Sequence, residues 1–337
     1  MKSILFDAPG EPGDVLRSSE TETPKPGPGE VLVRMLASPI NPSDLMFVRG
    51  VYGIRPECPQ SPGFEGVGVV EACGGGLRGM LFKGKRAVVM NSRGGNWAEY
   101  SVVPATQIIP VSSALSVDQA ATFFVNPATA WILTQEVLSI PTGKWVLQTA
   151  AGSALGHMIT RLGKLCKYRT LCVVRRERYR ESLKRAGADA VIVFDPETDT
   201  FASFQEAVSE IVGKDGVGYA IDPVGGLSAS AVIQVLGPGG RILLFGTLSD
   251  QPISFSPRTI MERGITVEGF WLGSFMNSRG LLFKLKLVRR ITQLIRSGVL
   301  ATEIAARFSF DQIAEAVRTA EDRDASGKAL LSVTAIS

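Results

Sequence analysis

The stretch that decides the fold is residues 145–177, WVLQTAAGSALGHMITRLGKLCKYRTLCVVRRE. An apolar run opens it at 145–147, a small-residue turn follows at 150–156, and apolar residues then recur at helical spacing before a second apolar run at 170–174. A strand that enters a helix through small residues lets backbone N–H groups and the helix N-terminus approach a pyrophosphate. The stretch therefore predicts a βαβ unit that binds a dinucleotide.

The turn matches the glycine pattern of dinucleotide sites only in part. At the three glycine positions of G-x-G-x-x-G the chain has Ala151, Ser153 and Gly156. Only the last glycine, which allows the helix to pack closely on the strand, is present. The prediction therefore depends on context, because a strand precedes the turn and a helix follows it.

The end of the next predicted strand indicates which cofactor is bound. Arg175 and Arg176 stand there, about 20 residues after the turn, where an NAD site has an acidic residue on the ribose. Guanidinium groups suit a 2′-phosphate, so we predict NADPH rather than NADH. The alternative is that both arginines begin a solvated basic turn and that Glu177 contacts a ribose.

Composition bounds the class of protein. The 337 residues suffice for two domains, and a net charge of +4 does not indicate a nucleic-acid-binding surface. The four cysteines form no CxxC pair, which predicts free thiols in a reducing compartment. No apolar stretch is long enough for a membrane span, and no signal peptide is evident. We therefore expect a cytoplasmic protein without a membrane or nucleic-acid partner.

A single histidine, His157, limits the chemistry. Catalytic zinc usually recruits histidines, and structural zinc requires closely spaced cysteines, so we expect no metal. A Ser–His–Asp triad would have to use His157, which lies on the turn assigned to the cofactor. We favour a partly exposed residue in the first turn of the helix.

Two patterns divide the chain. Short apolar runs separated by Gly and Pro in residues 1 to about 115 predict an antiparallel β barrel or sandwich, with a polar, turn-rich loop at 40–66. From 118 onward a helical pattern is interrupted at Asn126-Pro127, and strands then alternate with helices, which predicts a doubly wound parallel sheet. We expect a first domain at 1–117, a nucleotide-binding domain at 118–299, and a segment at 300–337 whose tail, 326–331, rejoins the first domain.

One helix, at 281–297, carries a cluster of basic residues: Lys284, Lys286, Arg289, Arg290 and Arg296. It is either a docking surface for a membrane or an acyl carrier, or a solvated face. We favour the solvated face, opposite an apolar face of Leu282, Leu285, Val288 and Leu294.

The whole chain resembles the medium-chain dehydrogenase/reductase superfamily. That resemblance implies a GroES-like β-barrel catalytic domain and a Rossmann nucleotide-binding domain, hence an α/β fold. Zinc-dependent members have Gly-His-Glu where this chain has Gly63-Phe64-Glu65, and their four-cysteine lobe has no counterpart here. The resemblance is therefore to the zinc-independent branch.

Within that branch the chain is most similar to mitochondrial-type 2-enoyl thioester reductases. The similar segments are INPSDLMFVRGVYG at 40–53, VNPATAW at 125–131, AAGSALG at 150–156 and VEGFWL at 267–272. The family often has Asn at the position of Gly152 and Asp at that of Arg176. Quinone reductases of the branch share most of these segments except the tyrosine motif and Phe-Trp-Leu.

The resemblance implies the site residues. Tyr52 is the implied catalytic tyrosine, Asn41 would steady the thioester oxyanion, and Trp271 would wall an acyl channel. The residues implied around NADPH are Asn126, Thr129, Gly152, Ser153, Ala154, Leu155, Gly156, Arg175, Arg176, Phe245, Gly246, Thr247, Leu248, Phe270, Trp271, Leu272 and Lys328. On composition alone, Tyr52 would be a tyrosine that caps a Gly-rich turn.

Three functions follow from the resemblance and the residues. The first is NADPH-dependent reduction of the C=C bond of trans-2-enoyl thioesters, on CoA or on a carrier protein. The second is an NADPH:quinone or enone reductase, and the third is a non-catalytic NADPH-binding protein. The superfamily branch also implies a homodimer through an edge strand of the nucleotide domain, at 265–271.

Overall fold

The computed structural model describes residues 1–322 and 327–333. Two compact units divide the chain: Met1–Val125 with the chain from Thr302, and Asn126–Ala301. Residues 118–125, placed in the nucleotide domain by their helical pattern, belong to the first unit. Residue 326 of the expected tail lies outside the described residues. No helix in residues 1–322 and 327–333 is long and apolar enough to cross a membrane.

The first unit is built on a seven-stranded, mainly antiparallel sheet, with a two-stranded sheet beside it. Its strands are β1 (Lys2–Leu5), β2 (Arg17–Glu20), β3 (Glu30–Pro39), β4 (Glu65–Cys73), β5 (Arg86–Met90), β6 (Tyr100–Pro104), β7 (Ile108–Pro110), β14 (Ile304–Phe308) and β15 (Lys328–Ser332). The larger sheet runs β14-β15-β3-β4-β5-β7, with β6 also paired to β3. The tail therefore rejoins the first unit, because β15 pairs with β3.

Short helices connect these strands: α1 (Pro12–Val15), α2 (Pro42–Val48), α3 (Leu77–Phe82), α4 (Val117–Ala121) and α13 (Ile313–Glu321), with a 3₁₀ turn at Phe310–Gln312. The helix α2 corrects an expectation, since 40–66 was predicted as a loop throughout. Asn41 and Asp44 form a capping box around Pro42 at the helix start. Asn before Pro, with an acidic residue three positions on, is an N-terminal helix signal.

The second unit contains the parallel sheet predicted for the nucleotide domain. Its strands are β8 (Trp145–Gln148), β9 (Arg169–Val174), β10 (Ala190–Val193), β11 (Val217–Asp222), β12 (Leu236–Leu244) and β13 (Thr266–Gly269). They lie in the order β10-β9-β8-β11-β12-β13, and every pairing is parallel. The order of connection reverses between β8 and β11, which is where such sheets bind ligands.

The helices of this unit are α5 (Val125–Trp131), a π-helix (Ile132–Val137), α6 (Ala154–Cys166), α7 (Tyr179–Ala186), α8 (Phe201–Val212), α9 (Gly226–Val235), α10 (Pro257–Arg263), α11 (Leu272–Asn277) and α12 (Leu281–Arg296). Asn126-Pro127 was expected to interrupt a helix but lies in the first turn of α5. Proline is tolerated there because the first helical N–H groups have no intrahelical partner.

The helix α12 also differs from expectation. Leu282 and Leu285 were predicted on the buried face but are 77% and 47% exposed. The residues that are buried lie further along: Leu287, Ile291, Leu294 and Ile295. The buried stripe therefore covers only the later turns of the helix.

Candidate functional site

The nucleotide turn of the second unit has the geometry that the sequence predicts. Ser153 is the N-cap of α6, and its hydroxyl accepts a hydrogen bond from the Gly156 N–H at 3.1 Å. A Cβ on Gly156 would lie 2.2 Å from the carbonyl oxygen of Ala151. The third glycine of the pattern is thus required by a close backbone approach. Ala154 and Leu155, also predicted cofactor residues, form the first turn of the same helix.

A second close approach in this turn was not predicted. A Cβ on Gly152 would lie 2.7 Å from the ring of Tyr179. Tyr179 begins α7, and the guanidinium of Arg178 lies 4.8 Å from its ring centroid. Tyr179 therefore occupies the space that a larger residue at 152 would need, which explains why glycine stands there.

Arg175 and Arg176 follow directly after β9 and are exposed. Further on, Arg180 forms an ion pair with Glu177 and donates to the Val191 carbonyl at 2.8 Å. Glu177 is therefore engaged by a neighbouring arginine, which weakens the alternative that it contacts a ribose. The arginines of this basic turn differ in their contacts. Arg180 binds Glu177 and the Val191 carbonyl, whereas Arg175 and Arg176 are exposed directly after β9.

The remaining predicted residues of this unit follow the neighbouring strands. Residues 245–248 come after β12, where Phe245 N–H donates to the Asp222 carbonyl at 3.1 Å. A Cβ on Gly246 would lie 2.6 Å from the Pro223 carbonyl oxygen. Residues 270–272 come after β13, and Trp271 is 42% exposed. Because parallel strands end at one edge, the structure brings these segments to the same edge as the nucleotide turn.

Asn126 and Thr129 lie on α5 at the start of the second unit. Thr129 is 7% exposed, whereas Asn126 is half-buried. The candidate strand for a homodimer, β13, forms one edge of the parallel sheet. The homodimer stays a prediction.

The first unit contains the other predicted residues: Tyr52, Asn41 and Lys328. Tyr52 lies four residues after α2, and its ring packs on the ring of Phe64 with centroids 5.3 Å apart. Burial raises the pKa of Tyr52 to about 12, and the charge of Asp44 adds to this, while a hydrogen bond with Ser43 opposes it. The phenol is therefore protonated at neutral pH, the form in which its O–H can donate.

Asn41 is 3% exposed at the N-cap of α2. Its backbone N–H donates to Asp44 at 2.7 Å, but its side-chain Nδ2 has no hydrogen-bond partner among the described residues. A buried amide donor without an acceptor costs roughly 1–3 kcal/mol, so such a donor marks a place where an acceptor of a ligand is expected. Asn41, at the start of α2, and Tyr52, four residues after its end, thus carry two side-chain donors in one segment of the chain.

Lys328 has an environment that the sequence did not predict. Its ammonium donates to the Ile40 carbonyl at 3.3 Å. Burial lowers its pKa to about 8, although the charges of Asp44 and Glu65 raise it. Ile40, Asp44 and Glu65 all lie in the first unit, and the placement of Lys328 near NADPH stays a prediction.

The single histidine connects two helices of the second unit. His157 lies on α6, where Nδ1 contacts the Ser153 carbonyl at 3.0 Å and Nε2 contacts the Ser182 hydroxyl at 3.3 Å. It joins α6 to α7 and acts as a structural residue. Within residues 1–322 and 327–333, no three His, Cys, Asp or Glu side chains are grouped as a metal site requires.

Two family models match the chain. The model for the alcohol dehydrogenase GroES-like domain matches residues 27–113, and that for zinc-binding dehydrogenases matches residues 154–286. The mitochondrial enoyl-[acyl-carrier-protein] reductase of Caenorhabditis elegans is 32% identical over 81% of this chain and 78% of its own length. The chain belongs to the medium-chain dehydrogenase/reductase superfamily. The mitochondrial enoyl-[acyl-carrier-protein] reductase of Schizosaccharomyces pombe is 30% identical over 89% of this chain and 84% of its own length.

Solved structures of other proteins have the same fold as this chain. A provisionally assigned NADPH:quinone reductase of Bacillus thuringiensis is 29% identical, with a TM-score of 0.89 over 99% of both chains. A mycobacterial protein solved in complex with NADPH is 26% identical, with a TM-score of 0.88 over 98% of this chain and all of that chain. The GroES-like and Rossmann folds are thereby confirmed, as is the assignment to a family of oxidoreductases that bind a nicotinamide cofactor.

Some residues of the site were missed from the sequence. They are Ser43 and Asp44 beside Tyr52, Glu65 at the start of β4, and Tyr179 against the nucleotide turn. Asp44 had a local signal, because it is the third helical residue of the capping box. Tyr179 had none, since its contact with Gly152 crosses between two segments.

Proposed function

We propose that this protein reduces the C=C bond of trans-2-enoyl thioesters with NADPH as hydride donor. The observation that carries the proposal is the pair of donors in the first unit: a phenol held protonated at Tyr52, and the buried Asn41 amide, which has no acceptor within residues 1–322 and 327–333. Relatives at 30% identity and above, named as enoyl-[acyl-carrier-protein] reductases, support the choice of substrate class.

The reaction places negative charge on the thioester oxygen. When bound, NADPH supplies a hydride for the β carbon, and the α carbon then needs a proton. Asn41 Nδ2 can donate a hydrogen bond to the oxygen while charge develops there, without reorganisation of the protein. The Tyr52 hydroxyl can donate a hydrogen bond or a proton to the enolate, and its raised pKa keeps it in the donor form.

The second unit fits the cofactor. At Gly156 and Gly246 a Cβ would lie 2.2 Å and 2.6 Å from backbone carbonyl oxygens, so only glycine lets the backbone approach this closely at the strand ends. Ser153 caps the helix that would receive the pyrophosphate. Arg175 and Arg176 support a 2′-phosphate, and we infer NADPH rather than NADH from them. The mycobacterial structure in complex with NADPH is consistent with this.

The test follows NADPH oxidation with trans-2-enoyl-CoA and trans-2-enoyl carrier protein of several chain lengths, beside a simple quinone. We expect turnover of the thioesters, and a loss of about 100-fold in kcat for Tyr52→Phe, the scale of one general acid. Tyr100→Phe, on strand β6 of the same unit, is the matched control and should keep wild-type activity.

A quinone or enone reductase is the second candidate, and the Bacillus thuringiensis structure favours it. Such an enzyme transfers hydride to a small planar acceptor, for which a tyrosine donor matters less. If only the quinone reacts and Tyr52→Phe is as active as the wild type, this candidate replaces the enoyl reductase. No turnover with any activated alkene or quinone would leave a cofactor-binding protein without catalysis.

A further inference from the structure

One buried carboxylate in the second unit accepts hydrogen bonds from several segments. Asp222, the last residue of β11, is 0% exposed. Its Oδ1 accepts from the N–H groups of Val224 and Gly225, at 2.9 Å and 2.6 Å. Its Oδ2 accepts from the hydroxyls of Thr149 and Ser228, at 2.5 Å and 3.2 Å. Four donors thus converge on one side chain, and they offset the loss of water around its charge.

The loop after β11, residues 223–225, depends on this carboxylate and holds the next segment in turn. Asp222 Oδ1 binds two N–H groups of the loop. The loop carbonyls of Pro223 and Val224 accept from the N–H groups of Leu248 and Ser249, at 3.2 Å and 2.8 Å. The conformation of the loop therefore sets the position of the segment that follows β12.

Thr149 connects the same carboxylate to the nucleotide turn. It lies directly after β8 and directly before the turn at 150–156. Its backbone N–H donates to the Ile221 carbonyl at 3.1 Å, so the backbone alone keeps it beside β11. Its hydroxyl has a separate role, because it donates to Asp222 across two neighbouring strands. The carboxylate therefore joins the loop after β11 to the turn after β8.

The strand order indicates which half of a dinucleotide this loop would meet. β8 lies between β9 and β11, and β12 lies beyond β11. Arg175 and Arg176, after β9, would bind the 2′-phosphate of the adenosine half, and the turn after β8 would receive the pyrophosphate. A dinucleotide that crosses this point of the sheet then has its nicotinamide half on the side of β11 and β12. That half would lie beside residues 223–225 and 245–248.

We propose that Asp222 is a positioning residue that holds residues 223–225, and through them residues 245–248, where the nicotinamide half of NADPH binds. Asparagine cannot replace it, because the amide would turn its NH₂ group either toward two backbone N–H groups or toward two hydroxyls. This role rests on the proposed function only through the cofactor, and it is the same whether a thioester or a quinone is reduced.

The experiment separates the two halves of the cofactor. The wild type, Asp222→Asn and Thr149→Val are titrated by calorimetry with NADPH and with 2′-phospho-ADP-ribose, which lacks the nicotinamide. Thr149→Val removes one donor to the carboxylate and keeps the branched shape of the side chain. Thr200→Val is the matched control, because the Thr200 hydroxyl caps α8, after the edge strand β10, and accepts from the Ser203 N–H at 3.1 Å. Tm is measured for every variant.

We expect Asp222→Asn to bind NADPH about tenfold or more weakly, the scale of lost hydrogen bonds to a charged group. It should bind 2′-phospho-ADP-ribose as the wild type does, because the turn and the arginines of the adenosine half stay in place. Thr149→Val should show the same selective loss, by about threefold, since three of the four donors remain. Thr200→Val should lower Tm and bind both ligands as the wild type does.

Equal weakening of both ligands in Asp222→Asn would overturn the proposal, because a general loss of structure does not distinguish the halves of the cofactor. Wild-type affinity for both ligands would overturn it as well. If Asp222→Asn does not fold, Thr149→Val decides: a loss confined to NADPH supports the proposal, and any other result contradicts it.

The proposed function has a separate outcome. A wild type that binds NADPH but reduces no thioester refutes the enoyl reductase and leaves this comparison intact. A wild type that does not bind NADPH overturns both proposals.

Discussion

Gly156 gives the most direct test of the nucleotide turn. In Gly156→Ala the new Cβ would lie 2.2 Å from the Ala151 carbonyl oxygen and 2.6 Å from its Cα. Both atoms are backbone, so no side chain can rotate away. Since Cβ contacts below about 3 Å are not tolerated, α6 and the turn must separate by nearly 1 Å.

This separation has a cost in stability and in binding. Overpacking of a rigid site costs roughly 1–3 kcal/mol, which in a unit of this size lowers Tm by about 3–10 °C. The N–H groups of the turn move with α6, and we expect NADPH affinity to fall by about tenfold or more, the equivalent of 1.4 kcal/mol. Thermal unfolding with and without NADPH, together with fluorescence titration, measures both effects.

Gly218→Ala is the matched control, because a Cβ on this glycine of β11 would have no heavy atom within 4 Å. It should leave NADPH affinity unchanged. The contrary result is that Gly156→Ala binds NADPH as tightly as Gly218→Ala does and unfolds at the wild-type temperature. That result would refute the requirement for glycine at 156, and with it the physical argument that this turn binds the pyrophosphate.

Two further predictions concern charge. Replacing Arg175 and Arg176 by Gln should weaken NADPH binding by about tenfold or more, the scale of charge-assisted hydrogen bonds, and leave NADH binding nearly unchanged. Fluorescence titration measures both affinities, and Arg185→Gln, in the last turn of α7, is the control. Equal effects on the two cofactors would contradict a role of these arginines in binding the 2′-phosphate. The raised pKa of Glu65, about 7, makes its contribution to folding fully present below its unfolded value of 4.5 and lost as pH rises through about 7. Relative to the wild type, the free energy of unfolding of Glu65→Gln, measured by denaturant titration, should therefore be higher at pH 8 than at pH 5 by on the order of 2–3 kcal/mol. An equal difference at both pH values would count against burial as the cause.

Local patterns predicted the second unit well. The βαβ unit at 145–177 is contiguous, so its apolar runs and small residues are sufficient to define β8, α6 and β9. Gly156 could be assigned a packing role because the spacing from the strand fixes where the helix approaches. The exposure of Leu282 was missed because helical spacing alone does not show where along a helix the neighbouring elements end.

Contacts between segments that are distant in the sequence could not be predicted from local patterns. Lys328 and Ile40 are 288 positions apart, and nothing in either segment predicts that they meet. The same holds for Glu65 and Val125. The start of α2 was missed for a different reason, because Asn-Pro-Ser-Asp is typical both of a turn and of a helix N-terminus. Only the apolar residues that follow, Leu45 and Phe47, favour the helix.

The position of β15 in its sheet has a consequence for how the protein is made. This strand, Lys328–Ser332, lies between β14 and β3, inside the sheet rather than at its edge. During synthesis, residues 37–39 of β3 lack this partner until β15 has been translated, although β6 already pairs with the start of β3. The segment 126–301 is continuous and can complete its own sheet earlier. We therefore expect the second segment of the chain to mature first during synthesis, and the first to mature last.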